Sequence, residues 1–192
     1  MRGSAKVVAA KELQQLLSLV ADHRQPLRDS VIVLFSFKAG LRACEVAGLD
    51  WRMITTPSGL IAETIAVAGS IAKNGRARQI PMHPELRNAL RKLWKRSGKP
   101  RQGPVVRSQK GGHMTPGSVV NWFTDLYAQA GLAGCSSHSG RRTFITNSAR
   151  LAAKVGGCLR DVQELAGHSA ITTTQIYIAG DSEAQRKLVH LL

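Results

Sequence analysis

The chain has 192 residues, enough for one domain that buries most of its apolar surface, and carries 27 Lys and Arg against 12 Asp and Glu. The resulting net charge of +15 points to a polyanionic partner, nucleic acid first, the plain alternative being a basic solvated surface. No apolar run approaches the roughly 20 residues that span a bilayer and no stretch has signal-peptide order, which argues against a membrane and for a cytoplasmic protein.

Cys44, Cys135 and Cys158 share no CxxC spacing, which argues against a disulfide framework and against zinc. Neither a metal nor an organic cofactor is expected. Met1-Arg2-Gly3-Ser4 has the character of an expression-vector scar, so residues 1–5 are set aside as scar or disordered N-terminus. Residues 6–192 read as a single domain, with no repeat, low-complexity tract or dividing linker.

The first periodic segment, residues 11–22, places Leu13, Leu16, Leu17 and Val20 on one helical face. A second apolar helix is predicted over 27–39, ending at Gly40 as a C-cap, and a short one opens at Arg42 and runs through Val46. Residues 61–71, rich in Ile, Val, Thr and Ala, and residues 76–81 read as strands. Asn74-Gly75 between them predicts a two-residue hairpin turn with Lys73 and Arg76 at its tip. Pro84 opens a helix carrying Leu86, Leu90, Leu93 and Trp94, and 98–112 is a basic loop. Helices follow over 116–130, 140–151, 159–166 and 172–177, with a tail over 181–192. The predicted fold is α+β, mainly α with one small antiparallel sheet.

Two arginines, two histidines and one late tyrosine form a chemical set for a phosphodiester. His138 and Arg141 lie three apart at a helix start, on one face, where free amides also favour an anion. His168 follows Gly167, and Tyr177 lies nine residues later. Singly, each has a plain alternative: Arg42 pairs with Glu45 one helical turn on, Arg142 is a solvated charge or backbone-phosphate contact, His168 is structural, and Tyr177 packs as an aromatic. Arg76 and Arg78 compete with Lys73 for any basic role on the hairpin.

Together the set resembles the tyrosine recombinase, or phage integrase, family. Ala39-Gly40-Leu41-Arg42-Ala43-Cys44-Glu45 resembles its first arginine box, and His138-Ser139-Gly140-Arg141-Arg142-Thr143-Phe144 its second. Leu165-Ala166-Gly167-His168-Ser169, followed by Thr173-Thr174-Gln175-Ile176-Tyr177, resembles its third. The resemblance implies a catalytic-core fold and an enzyme that cuts and rejoins DNA through a 3′-phosphotyrosyl link, integrating or excising a mobile element without ATP or metal.

By that resemblance Tyr177 is the nucleophile and His138 its base. Arg42 and Arg141 grip the non-bridging oxygens, His168 donates to the phosphate, and Lys73 protonates the leaving 5′-oxygen. Glu45 supports its neighbours; Arg76, Arg78 and Arg142 are DNA-contact candidates. The implied partners are double-stranded DNA and further copies in a synaptic tetramer, with the tail either docking on a neighbouring protomer or packing on its own core.

Two local departures are mild: Arg142 stands where many members carry histidine, and Ala166 where leucine is common. The family's N-terminal DNA-clamping domain is absent, which reads as an excised fragment, with a minimal natural enzyme as the alternative. The competing functions are a type IB topoisomerase, which rejoins its own strand, and a DNA-binding accessory protein that keeps the pocket without using it.

Overall fold

The computed structural model describes residues 5–177 and 189–190. Helix α1 (Ala10–Ala21) buries the stripe Leu13, Leu16 and Val20, and Glu12 accepts the Ala9 N–H at 2.6 Å to close its first turn. Helix α2 (Pro26–Lys38) has its phase set by Pro26 and is buried without interruption from Val31 through Phe37. A helix apolar on all sides belongs at the centre of a core. Accordingly α2 packs against α1, short α3 (Ala43–Gly48), α4 (Pro84–Arg96) and α6 (Ser139–Ala152).

Strands β1 (Thr64–Val67) and β2 (Arg78–Pro81) form the expected antiparallel pair, with Ile65 opposite Ile80 and both fully buried. The strands are shorter than the composition predicts. Residue 61 pairs instead with Thr55, and Ala62 donates to the Ile54 carbonyl, so the extended run is broken at its start.

The Asn-Gly hairpin is corrected as well: residues 68–77 form a ten-residue connection. Within it Ile71 and Ala72 donate back to the Ala68 carbonyl, and Gly75 to that of Ala72. Ile71 lies so close to Gly48 that a Cβ there would meet its Cγ2 at 2.6 Å. That anchorage on the core outweighs the local turn preference, a case of tertiary packing overriding a two-residue signal.

Beyond the sheet, α5 (Pro116–Gln129) packs on α3 and inserts Val119, Phe123, Leu126 and Tyr127 into the main core. A smaller apolar cluster of Ile145, Val162 and Ala166 joins α6 to α7 (Leu159–Ala166), with Tyr177 packed on its edge. Helix α8 (Ile171–Gln175) rests on α7. The fold is thus mainly helical with a two-stranded sheet. Among the described residues no helix is long and apolar enough to cross a membrane. The expected tail helix over 181–192 lies outside the described residues except for Val189 and His190.

Candidate active site

Three segments distant in sequence meet at one buried guanidinium. Arg141, in the first turn of α6, is 3% exposed. It donates one Nη–H to the Gly40 carbonyl and another to the Ala166 carbonyl, both at 2.6 Å. The first acceptor lies just before α3 and the second at the end of α7, so one side chain ties the three motif regions together. Gly40 has φ +61, and a Cβ there would run into the Phe144 ring, so this reversal requires glycine. Burial foremost, then the charge of Arg42, pulls the Arg141 pKa down to about 10, which leaves it cationic at neutral pH.

Arg42 caps α3. Its backbone N–H donates to Glu45 Oε2 at 2.8 Å and its Nη1 to Oε1 at 3.2 Å, so the pairing with Glu45 read from sequence is present. Glu45 is fully buried. Burial alone would raise its pKa, but the bonds and charge of Arg78, then those of Arg42, override that and hold the carboxylate ionised.

Arg78, a DNA-contact candidate by resemblance, is turned inward onto Glu45. Its guanidinium grips both Glu45 oxygens, at 2.7 and 2.8 Å, donates from Nε to the Leu165 carbonyl at 3.2 Å, and is 8% exposed. The signal was available in the strand: residues two apart share a face, so buried Ile80 carries Arg78 inward with it. Arg76, two residues earlier in the connection, stays exposed, as does Lys73.

His168 follows Gly167, whose φ of +63 ends α7 in the left-handed conformation glycine favours. His168 Nδ1 lies 2.9 Å from the hydroxyl of Thr174, a fully buried residue that sequence reading passed over. Burial first, then Arg141, Arg42 and Arg78, pull the His168 pKa down to about 4. The ring is therefore neutral at pH 7. In the tautomer whose Nδ1 accepts from the Thr174 hydroxyl, the other nitrogen carries the proton and can donate to a ligand.

His138 caps α6 at the surface. Its pKa is lowered by burial, then by the charges of Arg141, Lys73 and Arg42, so the exposed lysine of the connection shares this field. Tyr177 stacks on His168 with ring centroids 5.7 Å apart and planes 20° off parallel. The Arg142 guanidinium lies over the same phenol ring at 5.5 Å, a cation–π contact. Tyr177 also acts electrostatically on Arg141. Arg42, Arg141, His168 and Tyr177 thus form one site, with His138 and Lys73 in its field. Beside it opens a cavity of about 420 Å³ lined by Arg76, Arg78, Arg160, Gln163 and His168. Among the described residues no group of three His, Cys, Asp or Glu could hold a metal ion.

Residues 6–184 match the phage integrase family. The chain belongs to that family. Among similar proteins, the tyrosine recombinase XerC of Xylella fastidiosa (strain 9a5c) is 30% identical over 178 residues, spanning 92% of this chain and 57% of XerC. XerC of Xanthomonas campestris pv. campestris (strain B100) is 31% identical over 173 residues, spanning 90% of this chain and 50% of that protein. The chain therefore spans about half the length of the curated relatives it matches. In fold it superposes on the XerA recombinase with a TM-score of 0.71 at 21% identity, over 97% of this chain and 63% of that one. It also superposes on the Tn1549 transposon integrase, solved with transposon right end DNA, with a TM-score of 0.74 at 21% identity, over 99% of this chain and 67% of that one. The fold of this family member is that of a tyrosine recombinase catalytic domain.

Proposed function

We propose that this family member is the strand-transfer domain of a site-specific DNA recombinase or integrase, working through a 3′-phosphotyrosyl intermediate on a mobile element's DNA. The observation that carries the reading is Arg141 fastened to the Gly40 and Ala166 carbonyls, which brings two arginines, a neutral histidine and a tyrosine together.

In this reading Arg42 and Arg141 hold the non-bridging oxygens of the scissile phosphate, where charge grows in the transition state. A protonated phenol is a poor nucleophile, so Tyr177 needs a base. His138, its pKa lowered by burial and then by its cationic neighbours, is neutral and so can accept the phenolic proton. The new bond joins Tyr177 Oη to phosphorus, the bond to the 5′-oxygen breaks, and Lys73 gives that oxygen a proton. His168 donates to the phosphate through the nitrogen that Thr174 does not engage. Attack by a 5′-hydroxyl of a partner strand reverses the sequence. The partners are duplex DNA and further copies of the protein in a synaptic tetramer, acting in the cytoplasm.

The test is covalent trapping on nicked duplexes of randomised sequence, comparing wild type with Tyr177→Phe on denaturing gels. It is run on this chain and on the chain joined to a helical DNA-clamp domain. A DNA-shifted band made only by wild type and mapping to the Tyr177 peptide is expected. An adduct that survives Tyr177→Phe, or none in either format, overturns the reading.

A further inference from the structure

Arg78 makes more contacts inside this site than a DNA-facing arginine has reason to make. Its two Nη groups fork onto the buried Glu45 carboxylate, and the same carboxylate holds the Arg42 backbone and guanidinium. Its Nε bonds the Leu165 carbonyl, one residue before the carbonyl that holds Arg141. Its stem lies over the turn carrying His168: a Cβ on Gly167 would meet Arg78 Cδ at 2.9 Å. Arg42, through Glu45, and the turn that carries His168, through Leu165 and Gly167, therefore both rest on one strand-borne guanidinium.

We propose that Arg78 is a positioning residue of the oxyanion site, setting Arg42 through Glu45 and the His168 turn through Leu165. The inference rests on the proposed strand-transfer reading but adds to it a residue that never touches the phosphate. The fork matters as much as the charge. A planar guanidinium fixes both carboxylate oxygens, and Glu45 then has one orientation in which to present itself to Arg42. With a single-point cation, or none, Glu45 has no fixed orientation and Arg42 loses the support that holds its guanidinium at the phosphate.

The experiment compares wild type, Arg78→Lys and Arg78→Met. Removing Arg78 leaves a buried carboxylate half-paired, which by itself destabilises the fold. The double variant Glu45→Gln/Arg78→Met removes that charge and serves as the stability control. Two readouts are used. The first is affinity for inorganic vanadate, a tetrahedral oxyanion, followed by the His168 ring resonances. The second is single-turnover cleavage of the selected duplex with a normal or a methylphosphonate scissile linkage, the latter lacking the negative charge that the arginines neutralise.

Expected are a vanadate affinity lowered about tenfold in Arg78→Met and less in Arg78→Lys, and cleavage slowed about a hundredfold in Arg78→Met. On methylphosphonate the cleavage deficit should shrink to below about tenfold. The double variant should regain thermal stability while keeping both defects. The proposal is overturned if folded Arg78→Met binds vanadate like wild type, if its deficit is equal on the two linkages, or if cleavage recovers along with stability in the double variant. A wild type that forms no adduct would sink the strand-transfer reading, and the vanadate arm would still decide the role of Arg78. A wild type that binds no vanadate removes the oxyanion site and the inference with it.

Discussion

Acid should loosen this fold over a window set by His168. Its pKa falls from the ordinary 6.5 to about 4 because burial, and then Arg141, Arg42 and Arg78, oppose a second positive charge. Between those values the unfolded chain takes up a proton that the folded chain refuses. The stability this histidine contributes is therefore complete above pH 6.5 and is lost as the pH falls toward 4. A gap of about 2.5 in pKa corresponds to about 3.4 kcal/mol at most. The ring is partly solvated, and screening reduces that to about 1–2 kcal/mol. For a domain of this size the loss is about 3–6 °C in melting temperature. His138 shifts in the same direction, for similar reasons, and adds to the effect. The assay is thermal unfolding by circular dichroism from pH 7 to pH 4.5, on wild type and His168→Asn. Carboxylate titration is common to both and cancels in the comparison. Wild type should lose several degrees more than the variant on acidification, and parallel losses would refute the reasoning.

Three further outcomes follow from the geometry. Gly40→Ala, forcing a positive φ and a Cβ into Phe144, should cost about 2–4 kcal/mol in urea unfolding and weaken cleavage, because the Gly40 carbonyl anchors Arg141. Lys73→Ala should slow cleavage of a normal linkage by about 10²- to 10⁴-fold. With a 5′-thiolate leaving group, which needs no proton, the loss should be under about tenfold in single-turnover kinetics; equal losses would remove the general-acid role. DNA affinity, read by fluorescence anisotropy, should fall steeply and linearly in log salt, whereas a flat line would exclude phosphate contacts as the source of binding.

The helices were legible because their signals are local. The α1 stripe, Pro84 at a helix start and Gly167 past the end of α7 mark elements that the structure places within a residue or two. The two arginine motifs and Gly167-His168 were legible as residue types at fixed spacing, and α3, α6 and the α7–α8 turn carry them to one place. What sequence did not give was direction. Lys73 was placed at a tight tip because Asn74-Gly75 is a strong local signal, but Ile71 found the core and lengthened the connection to ten residues. Arg78 looked like its exposed neighbours until the pleat of β2 turned it inward. Thr174, one hydroxyl in a threonine-rich run, had nothing to mark it before α8 set it against His168.

The charge around Glu45 has a practical consequence for how this protein is handled. Arg42 and Arg78 both converge on that carboxylate, and every charge acting on His138 and His168 is positive. On the proposed oxyanion-site reading, the positive charge left over after Glu45 is relieved when a multivalent anion enters. Sulfate or phosphate in a buffer should then act as a folding ligand, raising the melting temperature in a way chloride at equal ionic strength does not. A melting temperature taken in phosphate would then describe a complex, and a DNA affinity taken there a competition.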